Sequence, residues 1–244
     1  MITQRASQPG AQGVARRERL IVALDVPTAG EARELAEKLG DAACFYKVGL
    51  ELFTAGGYFE LIEWLTRRGS KVFADLKFFD IPETVRRAAA NLSASGAAFA
   101  TVHGNRSIME AAVKEKGAMK ILAVTVLTSF GKSDLAEIGY QGEVADLVLA
   151  RARAALEAGC DGVIASGREA KALKDAFGAR LLVVTPGIRL AGGPAHDQKR
   201  TVDVAQAFTN GADYIVVGRP IREAPDPRAA AEAIQNTIAA IFPA

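Results

Sequence analysis

Asp75, Lys77 and Asp80 fall within one short segment, Asp75-Leu76-Lys77-Phe78-Phe79-Asp80-Ile81-Pro82. Side chains of an extended chain alternate faces, so Asp75 and Lys77 point one way and Leu76 the other. With Leu76 packed under covering helices, a carboxylate and an ammonium share the interior of the fold. A lone buried charge is costly, but an alternating set of Lys47, Asp75, Lys77 and Asp80 can keep all four groups ionised by mutual pairing. An amine held in that way is suited to stabilising a developing negative charge and to delivering a proton. The plainer reading of the Asp75 and Lys77 pair is a structural salt bridge.

A second constellation is suited to phosphate. Gly187 and Gly218 each follow an apolar run, and Arg189 and Arg219 stand beside them as permanently charged, forked donors. Gln198, in the loop running from Gly192 through Asp197, offers an amide donor. Each glycine alone reads as a turn residue; the two loops together read as a phosphate site.

These residues need a frame that brings them together. Short apolar, β-branched runs recur at 20–25, 44–49, 71–77, 98–103, 120–127, 161–166, 181–186 and 214–218, each followed by a stretch of helical period. Thr28 and Glu31 have capping-box spacing before Ala32, Leu35, Ala36 and Leu39; Asp226-Pro227 opens the last helix, and Asn210-Gly211 stops the one before it. Strands apolar on both faces and alternating with helices describe a buried parallel sheet. Eight such units predict a closed (β/α)8 TIM barrel in a single domain over residues 19–244. A doubly wound sheet more often has fewer strands and a glycine-rich first turn, where this chain has Asp25-Val26-Pro27.

In such a barrel the working groups stand at the carboxyl ends of the strands. Asp25, Lys47, Asp75 with Lys77, His103, Thr128-Ser129, Thr185 through Arg189, and Gly218-Arg219 all fall near those ends. A solvated charge explains any one of them, and His103 reads equally as a core histidine. Their collection at one end is what points to a site.

Composition narrows the partners. Thirty basic and 28 acidic residues are spread along the 244-residue chain, leaving no basic block for nucleic acid and favouring a small molecule. No apolar run reaches membrane-spanning length, and residues 1–18 read as a flexible extension without the apolar centre of a secretory signal. Cys44 and Cys160 have neither CxxC spacing nor a histidine neighbour and are expected as buried free thiols. A cytoplasmic location without metal follows as the expectation.

The sequence resembles the bacterial type of orotidine 5'-phosphate decarboxylase over essentially the whole barrel. The resemblance rests on Ala23-Leu24-Asp25, Lys47-Val48-Gly49, the segment from Asp75 to Pro82, Leu127-Thr128-Ser129, Thr185 through Arg189, Asp197-Gln198 and Val217-Gly218-Arg219. It implies Lys77 as the proton donor at C6, Asp75 as the carboxylate beside the leaving group, and Lys47 and Asp25 as ligands of the ribose hydroxyls. It implies that Asp80 and the residues to Thr84, Ile81 among them, reach into the partner's site in a homodimer. Thr128 would contact the pyrimidine, and Arg189, Gln198, Gly218 and Arg219 would hold the phosphate. No cofactor is implied, and the chain carries no thiamine, pyridoxal or metal motif. Gly104-Asn105-Arg106-Ser107 departs from the glycine-rich loop the resemblance leads one to expect.

Two rival readings stay open at this level. Magnesium-dependent sugar-phosphate decarboxylases and aldolases resemble this chain in the Asp75, Lys77 and Asp80 pattern but carry an acidic metal ligand where Lys47 stands; a lysine there opposes a divalent cation. A non-catalytic barrel that binds a phosphorylated ligand would show binding without turnover.

Overall fold

Eight parallel strands close on themselves in chain order in the computed structural model, which describes residues 13–189 and 200–243. They are β1 (Leu20–Ala23), β2 (Phe45–Gly49), β3 (Lys71–Phe78), β4 (Phe99–Val102), β5 (Lys120–Val124), β6 (Gly162–Ile164), β7 (Leu182–Thr185) and β8 (Tyr214–Val217). Outside them lie α1 (Ala29–Leu39), α2 (Leu50–Ala55), α3 (Tyr58–Arg67), α4 (Pro82–Ala94), α5 (Arg106–Lys114), α6 (Lys132–Glu137), α7 (Val144–Glu157), α8 (Ala170–Phe177), α9 (Val204–Thr209), α10 (Arg219–Arg222) and α11 (Pro227–Ile241). The expected eight-unit barrel is the observed one.

Strand alternation divides the core in two. Val22, Tyr46, Val72, Ala100, Ile121, Val163, Val183 and Ile215 face outward and pack with the helices, as does Leu76. Ile21, Phe45, Phe73, Phe99, Leu122, Leu182, Tyr214 and Val216 face the lumen. Phe99 stacks edge-on against Phe45 at 4.9 Å and Tyr214 at 5.2 Å between ring centroids, so aromatic rings plug the barrel below its mouth. Whatever polar groups stand above this plug work against a dry, low-dielectric floor.

The helix signals operate as expected. Thr28 Oγ1 accepts from the Glu31 amide at 3.2 Å and donates to the Glu31 carboxylate, while Asp226 accepts from the Ala229 amide at 3.0 Å with Pro227 in the first turn. Several strands are shorter than their apolar runs, because the last residues leave the ladder for loops. The run 120–127 is the clearest case: β5 ends at Val124, and the carbonyls of Val126 and Leu127 accept from the Arg200 guanidinium instead of a neighbouring strand.

Two expectations need correction. The barrel begins before residue 19, since Arg16–Arg19 form a 3-10 turn, the Glu18 carboxylate pairs with Lys71 at 2.6 Å, and Val14 packs against the lumen cluster. An apolar Val14 at the open amino end of the barrel removes lumen surface from water, which a flexible extension would not do. Cys160 is buried and free, but Cys44 is free and only half-buried, lying where β2 meets the Arg17 carbonyl.

Gly162 marks the tightest backbone approach in the barrel wall. A Cβ there would stand 2.7 Å from both Cβ and the carbonyl oxygen of Leu182 and 2.9 Å from Leu122 Cδ2. Gly162→Ala is expected to lower stability by about 1–3 kcal/mol through overpacking, read as a reduced urea midpoint. An unchanged midpoint would show that the wall between β5 and β7 yields freely.

Candidate active site

The carboxyl ends of the strands surround a cavity of about 430 Å3. On one side, lumen-facing positions of β2 and β3, with Asp25 just beyond the end of β1, supply a row of alternating charge. Lys47 Nζ lies 2.7 Å from Asp25 Oδ1 and 3.7 Å from Asp75 Oδ2, and Lys77 Nζ lies 2.9 Å from Asp75 Oδ1. The side chains of Lys47 and Asp75 are 12% and 13% exposed, whereas that of Lys77 at the free end is 33% exposed. Parallel register produces the row: Ala23 pairs with Lys47, and Gly49 with Asp75. Gly49 keeps it open, because a Cβ there would meet Lys47 Nζ at 3.2 Å.

Burial pushes the Asp75 carboxyl up, but the charges of Lys47 and Lys77 and hydrogen bonds from Lys77 and Thr101 outweigh it, holding the group below the usual carboxylate range. Asp75 therefore stays ionised at neutral pH, and its pairing is lost only as pH falls through that lowered value.

The charge row differs from the expected quartet in one member. Asp25 pairs with Lys47, while Asp80 is exposed and its carboxylate accepts from the Ile81 amide at 2.6 Å. Asp80, Ile81 and Thr84 lie past the end of β3 on the exposed start of α4, and none lines the cavity of its own chain. Lys77 has a φ of +49° and stands one residue before the end of β3, so Asp80 lies beyond the last paired residue, Phe78.

The loops after β7 and β8 add Gly187, Arg189, Gly218, Arg219 and Arg222 to the cavity lining, and because β8 pairs with β1 the last three adjoin the Asp25 end of the row. Gly187 has a φ of +77°, a conformation open to glycine, and turns the chain out of β7. The Arg189 amide then donates to the Val202 carbonyl at 3.0 Å, joining the two feet of the segment 190–199. Gln198 lies in that segment, outside the described residues. Thr128, in the loop beyond β5, also lines the cavity and is buried.

Several contributors were not legible beforehand. Arg222 donates to the Asp25 carbonyl and joins the cavity wall. Arg200 pairs with Glu169 at 2.8 Å and donates to the carbonyls of Val126 and Leu127, tying the foot of the 190–199 segment to the loop that carries Thr128. A signal for Thr101 was available, since it is a polar residue at a lumen position of an otherwise apolar strand, two residues beyond Phe99. His103 does not line the cavity; its ring meets Phe79 at 5.6 Å, and burial, then Arg151 and Lys77, lower its basicity.

A closed eight-stranded parallel barrel with a charged cavity at the carboxyl ends of its strands defines a (β/α)8-barrel enzyme. Residues 18–234 match the family model described as Orotidine 5'-phosphate decarboxylase / HUMPS family, and the chain belongs to that family. A protein of Methylococcus capsulatus named orotidine 5'-phosphate decarboxylase is 58% identical over 228 residues, 93% of this chain and 94% of the relative. A relative of the same name from Stenotrophomonas maltophilia is 53% identical, covering 93% of this chain and 95% of its own length. The crystal structure of orotidine 5'-phosphate decarboxylase from Lactobacillus acidophilus superposes with a TM-score of 0.81 at 39% identity, covering 91% of this chain and 99% of that one.

Proposed function

We propose that this chain decarboxylates orotidine 5'-phosphate to uridine 5'-phosphate and carbon dioxide, the step that completes UMP in pyrimidine biosynthesis. The observation that carries the reading is the row Asp25, Lys47, Asp75 and Lys77 sharing one cavity with Arg189, Arg219 and Arg222. The phosphate lies against Arg189, Gln198, Gly218 and Arg219, the ribose hydroxyls against Asp25 and Lys47, and the pyrimidine beside Thr128. That pose directs C6 and its carboxylate toward Asp75 and Lys77.

Breaking the bond from C6 to the carboxylate leaves an electron pair in the plane of the ring, where the π system cannot delocalise it. Carbon dioxide departs as that bond breaks; the ammonium of Lys77 stabilises the remaining pair electrostatically and then donates its proton to C6, and the resulting amine regains a proton from solvent. Asp75 keeps the ammonium in place and sets a negative charge beside the departing carboxylate. Binding energy from the distant phosphate holds this arrangement.

The reaction is proposed to need no cofactor. Lys47 places its ammonium between the carboxylates of Asp25 and Asp75, the position in which a divalent cation would otherwise balance them. The same contact favours decarboxylation of a nucleotide over magnesium-dependent sugar-phosphate chemistry. Loss of orotidine 5'-phosphate absorbance is expected to continue at an unchanged rate in excess chelator. Abolition by chelator with recovery on added magnesium would overturn the cofactor-free reading.

A homodimer with shared sites completes the proposal, with Asp80, Ile81 and Thr84 entering the partner's cavity. Their position outside their own cavity supports it, as do Phe79 and Ile81, 67% and 68% exposed at the same edge. Among the described residues no helix is long and apolar enough to cross a membrane. Two free cysteines fit the cytoplasm, where thiols stay reduced.

A further inference from the structure

Lys77 is the one residue other than glycine with a positive φ among the described residues. Such a backbone is costly for a side chain with a Cβ and persists only where its surroundings hold it. The neighbouring ladder does not hold it in the ordinary way. Ala74 pairs with Ala100 but Phe78 pairs with Val102, so four steps along β3 match two along β4 and the amides between them lose regular partners.

One side chain occupies that gap. Thr101 is buried; its Oγ1 accepts from the Lys77 amide at 2.9 Å and donates to Asp75 Oδ1 at 2.9 Å. The directions follow from chemistry, since an amide N–H only donates and an ionised carboxylate only accepts. Asp75 Oδ1 is also the oxygen that binds Lys77 Nζ at 2.9 Å. A single hydroxyl thus touches both ends of the ion pair, the backbone from which Lys77 springs and the carboxylate to which its ammonium returns.

We propose that Thr101 is a positioning residue, whose hydroxyl clamps the β3 bulge and thereby sets where the Lys77 ammonium and the Asp75 carboxylate stand. The inference rests on the reading of Lys77 as proton donor. If the clamp is removed, the Lys77 backbone is free to relax toward extended values and its Cα–Cβ bond swings. Displacing a reacting group by about 1 Å is enough to lower turnover on the order of 100-fold. The phosphate wall belongs to the loops after β7 and β8 and stays in place, so substrate binding is largely spared.

The test compares Thr101→Val, which keeps the shape and removes the hydroxyl, with Thr101→Ser, which keeps the hydroxyl and removes a methyl group. The expected result is a kcat lowered about 100-fold in Thr101→Val with KM within about threefold of wild type, and recovery in Thr101→Ser to within about threefold of wild-type kcat. Thermal melts establish that each variant is folded; should Thr101→Val not fold, Thr101→Ala against Thr101→Ser makes the same comparison. Turnover in Thr101→Val within twofold of wild type overturns the inference, as do equal losses in the valine and serine variants or a loss confined to KM. Absence of turnover in the wild-type chain is a different result, and overturns the decarboxylase reading itself.

Discussion

Lys77→Ala is expected to lower turnover of orotidine 5'-phosphate by about four powers of ten or more, since one ammonium supplies both charge stabilisation and the proton. The variant should still fold. Asp75 keeps Lys47 at 3.7 Å and the Thr101 hydroxyl at 2.9 Å, so it is not left as an unpaired buried charge. Arg219→Ala provides the contrast, because a lost charge-assisted hydrogen bond to phosphate weakens binding by about 10–100-fold. Part of that loss should also appear in kcat, as phosphate contacts help to hold the reactive arrangement. Steady-state kinetics on the two variants separate the roles. Comparable activity in wild type and Lys77→Ala would remove Lys77 from the chemistry.

A mixture of two inactive variants is expected to regain activity. Lys47→Ala and Asp80→Ala should each abolish turnover, but if Asp80 serves the partner's cavity, a mixed dimer has one site carrying both defects and one with neither. Random exchange makes about half the dimers mixed, each with one intact site of two, so roughly a quarter of wild-type activity should return. Subunit exchange can be verified separately with differently tagged chains. Exchange without recovery would place Asp80 in the site of its own chain and leave the exposed edge at Phe79 and Ile81 without its proposed role.

Much of the barrel was legible because its signals are local. Apolar runs with helical stretches between them declare themselves within a few residues, and the caps at Thr28 and Asp226 act on amides three positions away. The ends of the runs were less legible, because Val126 and Leu127 are apolar in either setting. Their departure from the ladder depends on Arg200, 73 and 74 residues distant. The boundary near residue 18 was misplaced for a related reason: Val14 has no periodic neighbours, and its value comes only from closing a lumen built by other segments.

The site divides along the same line. That Asp75 and Lys77 share a face, with Leu76 opposed, follows from the two-residue period of any strand and needed nothing beyond the sequence. Which carboxylate pairs with Lys47 did not follow. Asp25 and Asp80 carry the same charge, and the choice falls to Asp25 because parallel register sets β1 beside β2, while Asp80 lies exposed beyond the end of β3. Thr101 is the sharper instance. Nothing in a lone threonine on an apolar strand announces a clamp on Lys77, since the role exists only where β3 and β4 fall out of step. Periodicity along the chain is written by neighbouring residues; pairing across the lumen is decided by strand register and closure of the ring, which no local segment contains.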